Sequence, residues 1–193
     1  MTSEQTGPNK ALKIAGMVGL ALLGAAVGSA TARYIDVSAM PEDDALNLFI
    51  GVVLIALSVV MTVIVVARPT IVAKGCGLLQ TSVMGLAGLM LILPIYGADW
   101  VSAEVAMAGV LVLLVIQTVA NVMLWRQADE MLRRIIVETG ALSFWTLQLA
   151  LFVYAAAERL ELVEGMTAWG MIGILLAVYM VASALTAARR GIH

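Results

Sequence analysis

Long uncharged apolar runs, separated by short charged or turn-rich segments, set the rhythm of the chain. Six of them reach membrane length, at 14–32, 46–67, 76–98, 105–124, 135–157 and 166–188, and Glu138 is the one acid inside any of them. A hydrocarbon core about 30 Å thick is crossed by about 20 residues of helix. A helix satisfies its own backbone in lipid, and the runs lack the alternation of a barrel strand. The pattern therefore predicts an all-α polytopic membrane protein, a bundle of six transmembrane helices.

The polar segments between the runs give the orientation, because basic residues are retained on the cytoplasmic side. With the N-terminus inside, the inner segments hold Lys10, Lys13, Arg68, Lys74, Arg126, Arg133, Arg134, Arg189 and Arg190, leaving Arg33 and Arg159 outside. Acids gather on the opposite side, at Asp36, Glu42, Asp43 and Asp44, at Asp99 and Glu104, and at Glu158, Glu161 and Glu164. Both termini are expected in the cytoplasm. Tyr34, Tyr96, Trp100 and Trp169 mark the expected outer boundary and Trp125 the inner one, whereas Trp145 falls near mid-membrane. The expected organisation is a cytoplasmic tail over 1–13, a first hairpin over 14–67 with an acidic outer loop, a four-helix module over 76–188, and a cytoplasmic tail over 189–193. The polar start of the chain and the long first run read as a tail and a retained helix rather than a cleaved signal peptide.

Composition supports the membrane reading: of 193 residues 62% are hydrophobic and 12% charged, against about 25% charged in soluble domains. A net charge of −2 without a basic run offers no footprint for nucleic acid. One cysteine, Cys76, and one histidine, His193, leave no internal disulfide and no expected metal site. No Ser/His or Cys/His pair, H-E-x-x-H, P-loop or dinucleotide fingerprint occurs. Neither catalysis nor a cofactor is expected.

Small residues in the first, third and sixth runs mark expected close helix contacts: Gly24 with Gly28, Gly85 with Gly88, and Gly170 with Gly173. These serve either packing within the chain or an oligomer interface. Pro94, in the last turns of the third run, is expected to kink or end that helix. Glu42 to Asp44 suit the first turn of the second helix, where negative charge faces a positive helix end.

Polar residues within the runs are the candidate site. Gln80, Asn121 and Glu138 each lie four residues from an inner boundary, at a depth of about 6 Å. An antiparallel hairpin of the fourth and fifth helices would set Asn121 and Glu138 at one level, with Gln117 one turn from Asn121. Glu138, Ala141, Trp145, Gln148 and Phe152 form an a/d-like stripe, and Ser58 and Thr62 lie about as deep on the second helix. Two readings stand: interhelical hydrogen bonds that hold the bundle together, or a protonatable site at Glu138 in a polar pocket. Just before it, Asp129, Glu130, Arg133 and Arg134 form an inner-face anchor, with Glu130–Arg134–Glu138 and Asp129–Arg133 spaced for ion pairs along a helix.

The run Asp129-Glu130-Met131-x-Arg133-Arg134-Ile135-x-x-Glu138 resembles a DEMxRRIxxE element found between two transmembrane helices of small uncharacterised bacterial multipass proteins. The resemblance covers roughly residues 76–190 and departs at Thr139, where alanine is common in that element. It implies a four-helix unit with an N-terminal addition, in a bacterial inner membrane, and no chemistry. Two functions are expected. One is a non-enzymatic membrane protein, an accessory subunit or a self-assembling bundle whose partners are lipids, other membrane subunits or copies of itself. The other is a small proton, ion or solute transporter centred on Gln80, Gln117, Asn121 and Glu138.

Overall fold

A computed structural model describes residues 39–67 and 76–189, together with 28, 29 and 33. All of the first expected span except residues 28 and 29, Gly24 included, together with the basic segment at 68–75, the N-terminal tail and the C-terminal tail beyond Arg189, lies outside the described residues. Among those described, the structure is all-helical: α1 (Glu42–Ala67), α2 (Cys76–Trp100), α3 (Ala103–Gln127), α4 (Glu130–Arg159) and α5 (Ala168–Arg189). All five are long and apolar enough to cross a membrane. They correspond to the second through sixth apolar runs.

Local chemistry explains where they begin and stop. Glu42, Asp43 and Asp44 occupy the first turn of α1, so that helix starts before its apolar run, with carboxylates at its positive end. Asp129 caps α4 by accepting a hydrogen bond from the Leu132 amide at 2.7 Å. Thr167 caps α5 in the same way, accepting from the Gly170 amide at 3.0 Å. Pro94 does not end α2, which continues to Trp100. Within a membrane helix the amide lost to proline is tolerated because neighbouring groups re-satisfy the freed carbonyl.

The helices pack in the order α3–α2–α1–α5–α4. Contacts between Gly51 and Gly88, and between Ser58 and Gly85, run α1 antiparallel to α2; Gly97 on Ala106 and Gly109 on Leu93 do the same for α2 and α3. Pairing of Asp43 with Gly170 and of Asn47 with Gly173 makes α1 and α5 parallel neighbours. One end of the bundle therefore gathers the acid-rich segments, and the other the basic turn before α4. The core sits around α1, where Ile50, Leu54 and Leu91 are buried beneath Leu46, Ala87, Trp169, Leu176 and Met180. α1 lies between α2 and α5, and links the α2–α3 and α4–α5 pairs.

Candidate functional site

The basic turn is built from both helices that it joins. Arg133, in the first turn of α4, reaches back to the end of α3, where its Nε donates to the Trp125 carbonyl at 3.2 Å and its Nη2 to the Arg126 carbonyl at 3.3 Å. Its guanidinium also lies 5.8 Å from the centroid of the Trp125 ring. A cation there satisfies orphan carbonyls at the negative end of α3. The Asp129–Arg133 spacing is thus put to a different use, with Asp129 capping α4 and Arg133 capping α3. One turn on, Arg134 Nε and Glu138 Oε1 are 3.8 Å apart, in side chains 71% and 43% exposed. Solvent screening at such exposure leaves the pair a small net contribution to stability.

The other expected site residues lie on α2 and α3. Gln80 is exposed on α2 and Asn121 is exposed on α3. Gln117 is half-buried, its Oε1 enclosed and without a hydrogen-bond partner among the described residues. Consecutive though they are, α3 and α4 are not among the closely packed helix pairs. The hairpin that would set Asn121 against Glu138 is therefore absent from the packing: α3 lies on α2, and α4 lies on α5. Ser58 donates to the Thr81 carbonyl of α2 at 2.7 Å, and Thr62 to the Ser58 carbonyl at 2.7 Å, so these hydroxyls tie α1 to α2 and to itself.

The a/d-like stripe of α4 is turned the other way from the one expected. Ile135, Thr139 and Ser143 are the buried residues of this helix, while Ala141, Trp145, Gln148 and Phe152 are exposed. Thr139 and Ser143 also behave unlike other hydroxyls in the bundle. Thr62, Ser82, Thr118 and Thr186 donate to carbonyls one turn back on their own helices, whereas the buried hydroxyls of Thr139 and Ser143 have no partner among the described residues. Their spacing of four residues behind Ile135 was the available signal for a second, hidden face.

A further polar cluster, at the acid-rich end, holds α1 to α5. Thr167 donates its hydroxyl to Asp43 Oδ2, and the Asn47 amide nitrogen donates to the Trp169 carbonyl at 2.8 Å. Asn47 is fully buried and its Oδ1 is unpartnered among the described residues. Closeness is possible because α5 carries glycine there: a Cβ at Gly173 would come within 2.7 Å of Asn47 Oδ1, and one at Gly170 would collide with the Asp43 carboxylate. Asp43 lies at the starts of two parallel helices, whose positive ends favour its charge. Gly85 and Gly88 face α1 in the same close manner, and Gly28 stands against Phe49. Asn47, one turn after Asp43 within an otherwise apolar run, was the missed sequence signal for this clamp.

Tyr154 fixes the nearby turn between α4 and α5, donating to the Glu164 carbonyl at 2.9 Å and accepting from the Met166 amide. Among the described residues no three His, Cys, Asp or Glu side chains are grouped to hold a metal ion. No family model, curated protein or solved structure matches the chain.

Proposed function

We propose that the protein is a non-enzymatic integral membrane protein that works by lateral association, as an accessory subunit of a larger complex or as a self-assembling bundle. The carrying observation is the row of helices, with long apolar flanks at both ends. On α3 the exposed side chains include Val112, at 58%, and Val115, at 63%; on α4 they include Trp145, at 62%, and Phe152, at 76%. Such surfaces are at home against lipid or another membrane helix. In this reading six helices cross a bacterial inner membrane with both termini in the cytoplasm, and the Arg133 turn anchors the cytoplasmic face. The distribution of basic and acidic segments supports that orientation.

Mild-detergent purification with mass spectrometry tests the proposal. The expected result is a stoichiometric membrane partner, or a particle larger than one chain. A monomer without partners would overturn it. The second reading, a small proton, ion or solute transporter, draws support from the enclosed oxygens of Gln117, Thr139 and Ser143, which have no partner among the described residues. A purified monomer that carries protons or ions across vesicle membranes, with the flux lost in Glu138→Gln or Thr139→Val, would establish that reading instead.

A further inference from the structure

The exposed face of α4 carries a polar group where lipid cannot satisfy it. α4 is a helix of 30 residues, Glu130–Arg159, and at 1.5 Å per residue Gln148 lies about 5 Å from its midpoint. At 100° per residue Gln148 points about 140–180° away from the buried Ile135, Thr139 and Ser143. Its carboxamide is thus exposed at mid-depth, on the side turned away from the bundle. Gln80 and Asn121 are exposed too, but each lies within about 10 Å of the basic end of its helix, from which a polar side chain can reach toward the headgroups. Gln148 has no such exit, and an amide left in hydrocarbon is costly.

The surroundings of Gln148 have a regular spacing. Ala141, Gln148 and Ala155 recur every seven residues, and Trp145 and Phe152 follow the first two by four. This is the a/d seam of a parallel coiled coil, with aromatic residues at a, small residues at d and one polar residue at a central d position. All five side chains of the seam are exposed. We infer that α4 pairs with α4 of a second copy along this seam, with the two Gln148 carboxamides hydrogen-bonded to each other.

Two physical constraints select a second copy as the occupant. Copies inserted with the same orientation can form a closed pair only about an axis along the membrane normal, which sets the two α4 helices parallel and each residue at the depth of its own counterpart. A carboxamide carries both donor and acceptor, so it is complementary to itself in that arrangement. A register shift would separate the two carboxamides and leave each unsatisfied in hydrocarbon, so Gln148 also sets the register of the seam. The buried face, with Thr139 and Ser143, stays within each copy. The inference rests on the association reading and names its interface.

The test uses the full chain in lipid vesicles with Cys76, the single native cysteine, replaced by serine. Single cysteines are introduced at Ala141, Gln148 and Ala155 on the seam, and at Ser143 and Leu147 off it, then oxidised. Disulfide-linked dimers are expected at the three seam positions and weak or absent at the other two. Energy transfer between copies labelled away from position 148 should report an association weakened about tenfold by Gln148→Leu and largely retained by Gln148→Asn. Because Gln148 is exposed, neither change disturbs the packing within one copy. Cross-linking indifferent to position, or a dimer unaffected by Gln148→Leu, would overturn the inference. If the chain nevertheless co-purifies with another membrane protein or with copies joined elsewhere, the association reading survives; a partnerless monomer removes both.

Discussion

At Gly88 a single methyl group would be resisted by backbone. A Cβ there would lie 2.7 Å from the Gly51 carbonyl oxygen and 2.7 Å from Ile55 Cγ1, and neither can yield without moving α1. Gly140, on α4, has nothing within 4 Å of the same position. Alanine is intrinsically favoured over glycine in a helix by about 1 kcal/mol, and overpacking costs about 1–3 kcal/mol. Gly88→Ala should therefore destabilise the protein by up to about 2 kcal/mol, and Gly140→Ala should stabilise it by about 0.5–1 kcal/mol. Unfolding by SDS in mixed micelles reads both; shifts of the same sign would contradict the α1–α2 packing. Pairs of small residues were visible in the sequence as a general signal for close approach. Their particular partners were not, because spacing within one helix says nothing about which neighbour supplies the opposing carbonyl.

For whole helices the sequence was informative about length and poor about facing. Uncharged runs placed five helices to within a few residues, since the cost of unsatisfied backbone in lipid leaves little choice. The direction of α4 was harder to read, because lipid and protein interior are similarly apolar and polar residues sit on both sides of this helix. Trp145 and Gln148 drew the expected interior to the wrong face, while the small hydroxyls Thr139 and Ser143 mark the true one. The end of α4 holds a feature beyond hydropathy. Glu161 adopts a left-handed φ of 60°, while its amide bonds the Glu158 carbonyl and the Leu162 amide bonds the Ala157 carbonyl. This is a Schellman ending with glutamate where glycine is usual. Relief of the left-handed strain exceeds the added freedom of an unfolded glycine, so Glu161→Gly should stabilise the protein by up to about 1 kcal/mol. Glu161→Val should destabilise it, since a β-branched residue tolerates positive φ poorly. Thermal unfolding in one detergent compares the two; a valine variant as stable as the glycine one would mean that the turn stores no left-handed strain.

On the scale of the molecule, α1 is the joint. It buries Asn47, Leu48, Ile50, Gly51 and Leu54, meets α2 through Ser58 and the Gly51–Gly88 contact, and meets α5 through Asp43 and Asn47. Without it, the α2–α3 and α4–α5 pairs share no extensive packed interface among the described helices, and Leu91, Gly88, Gly170 and Gly173 lose their cover. A four-helix unit, as the resemblance over roughly residues 76–190 implies, would let residues 76–193 stand alone, whereas the position of α1 between α2 and α5 predicts that they do not. Expressed as a fragment, 76–193 should insert but remain loosely assembled, with rapid proteolysis and broad elution in mild detergent. Co-expression with residues 1–75 should restore the sharp, protease-resistant species, because α1 would return as a separate chain to the groove between α2 and α5. Asp43→Ala combined with Asn47→Ala in the 1–75 piece should weaken that rescue by removing the polar contacts to Thr167 and Trp169. A fragment 76–193 as resistant as the whole chain would show that the α3–α2 and α4–α5 pairs join without α1, and α1 would then be a peripheral helix rather than the joint between them.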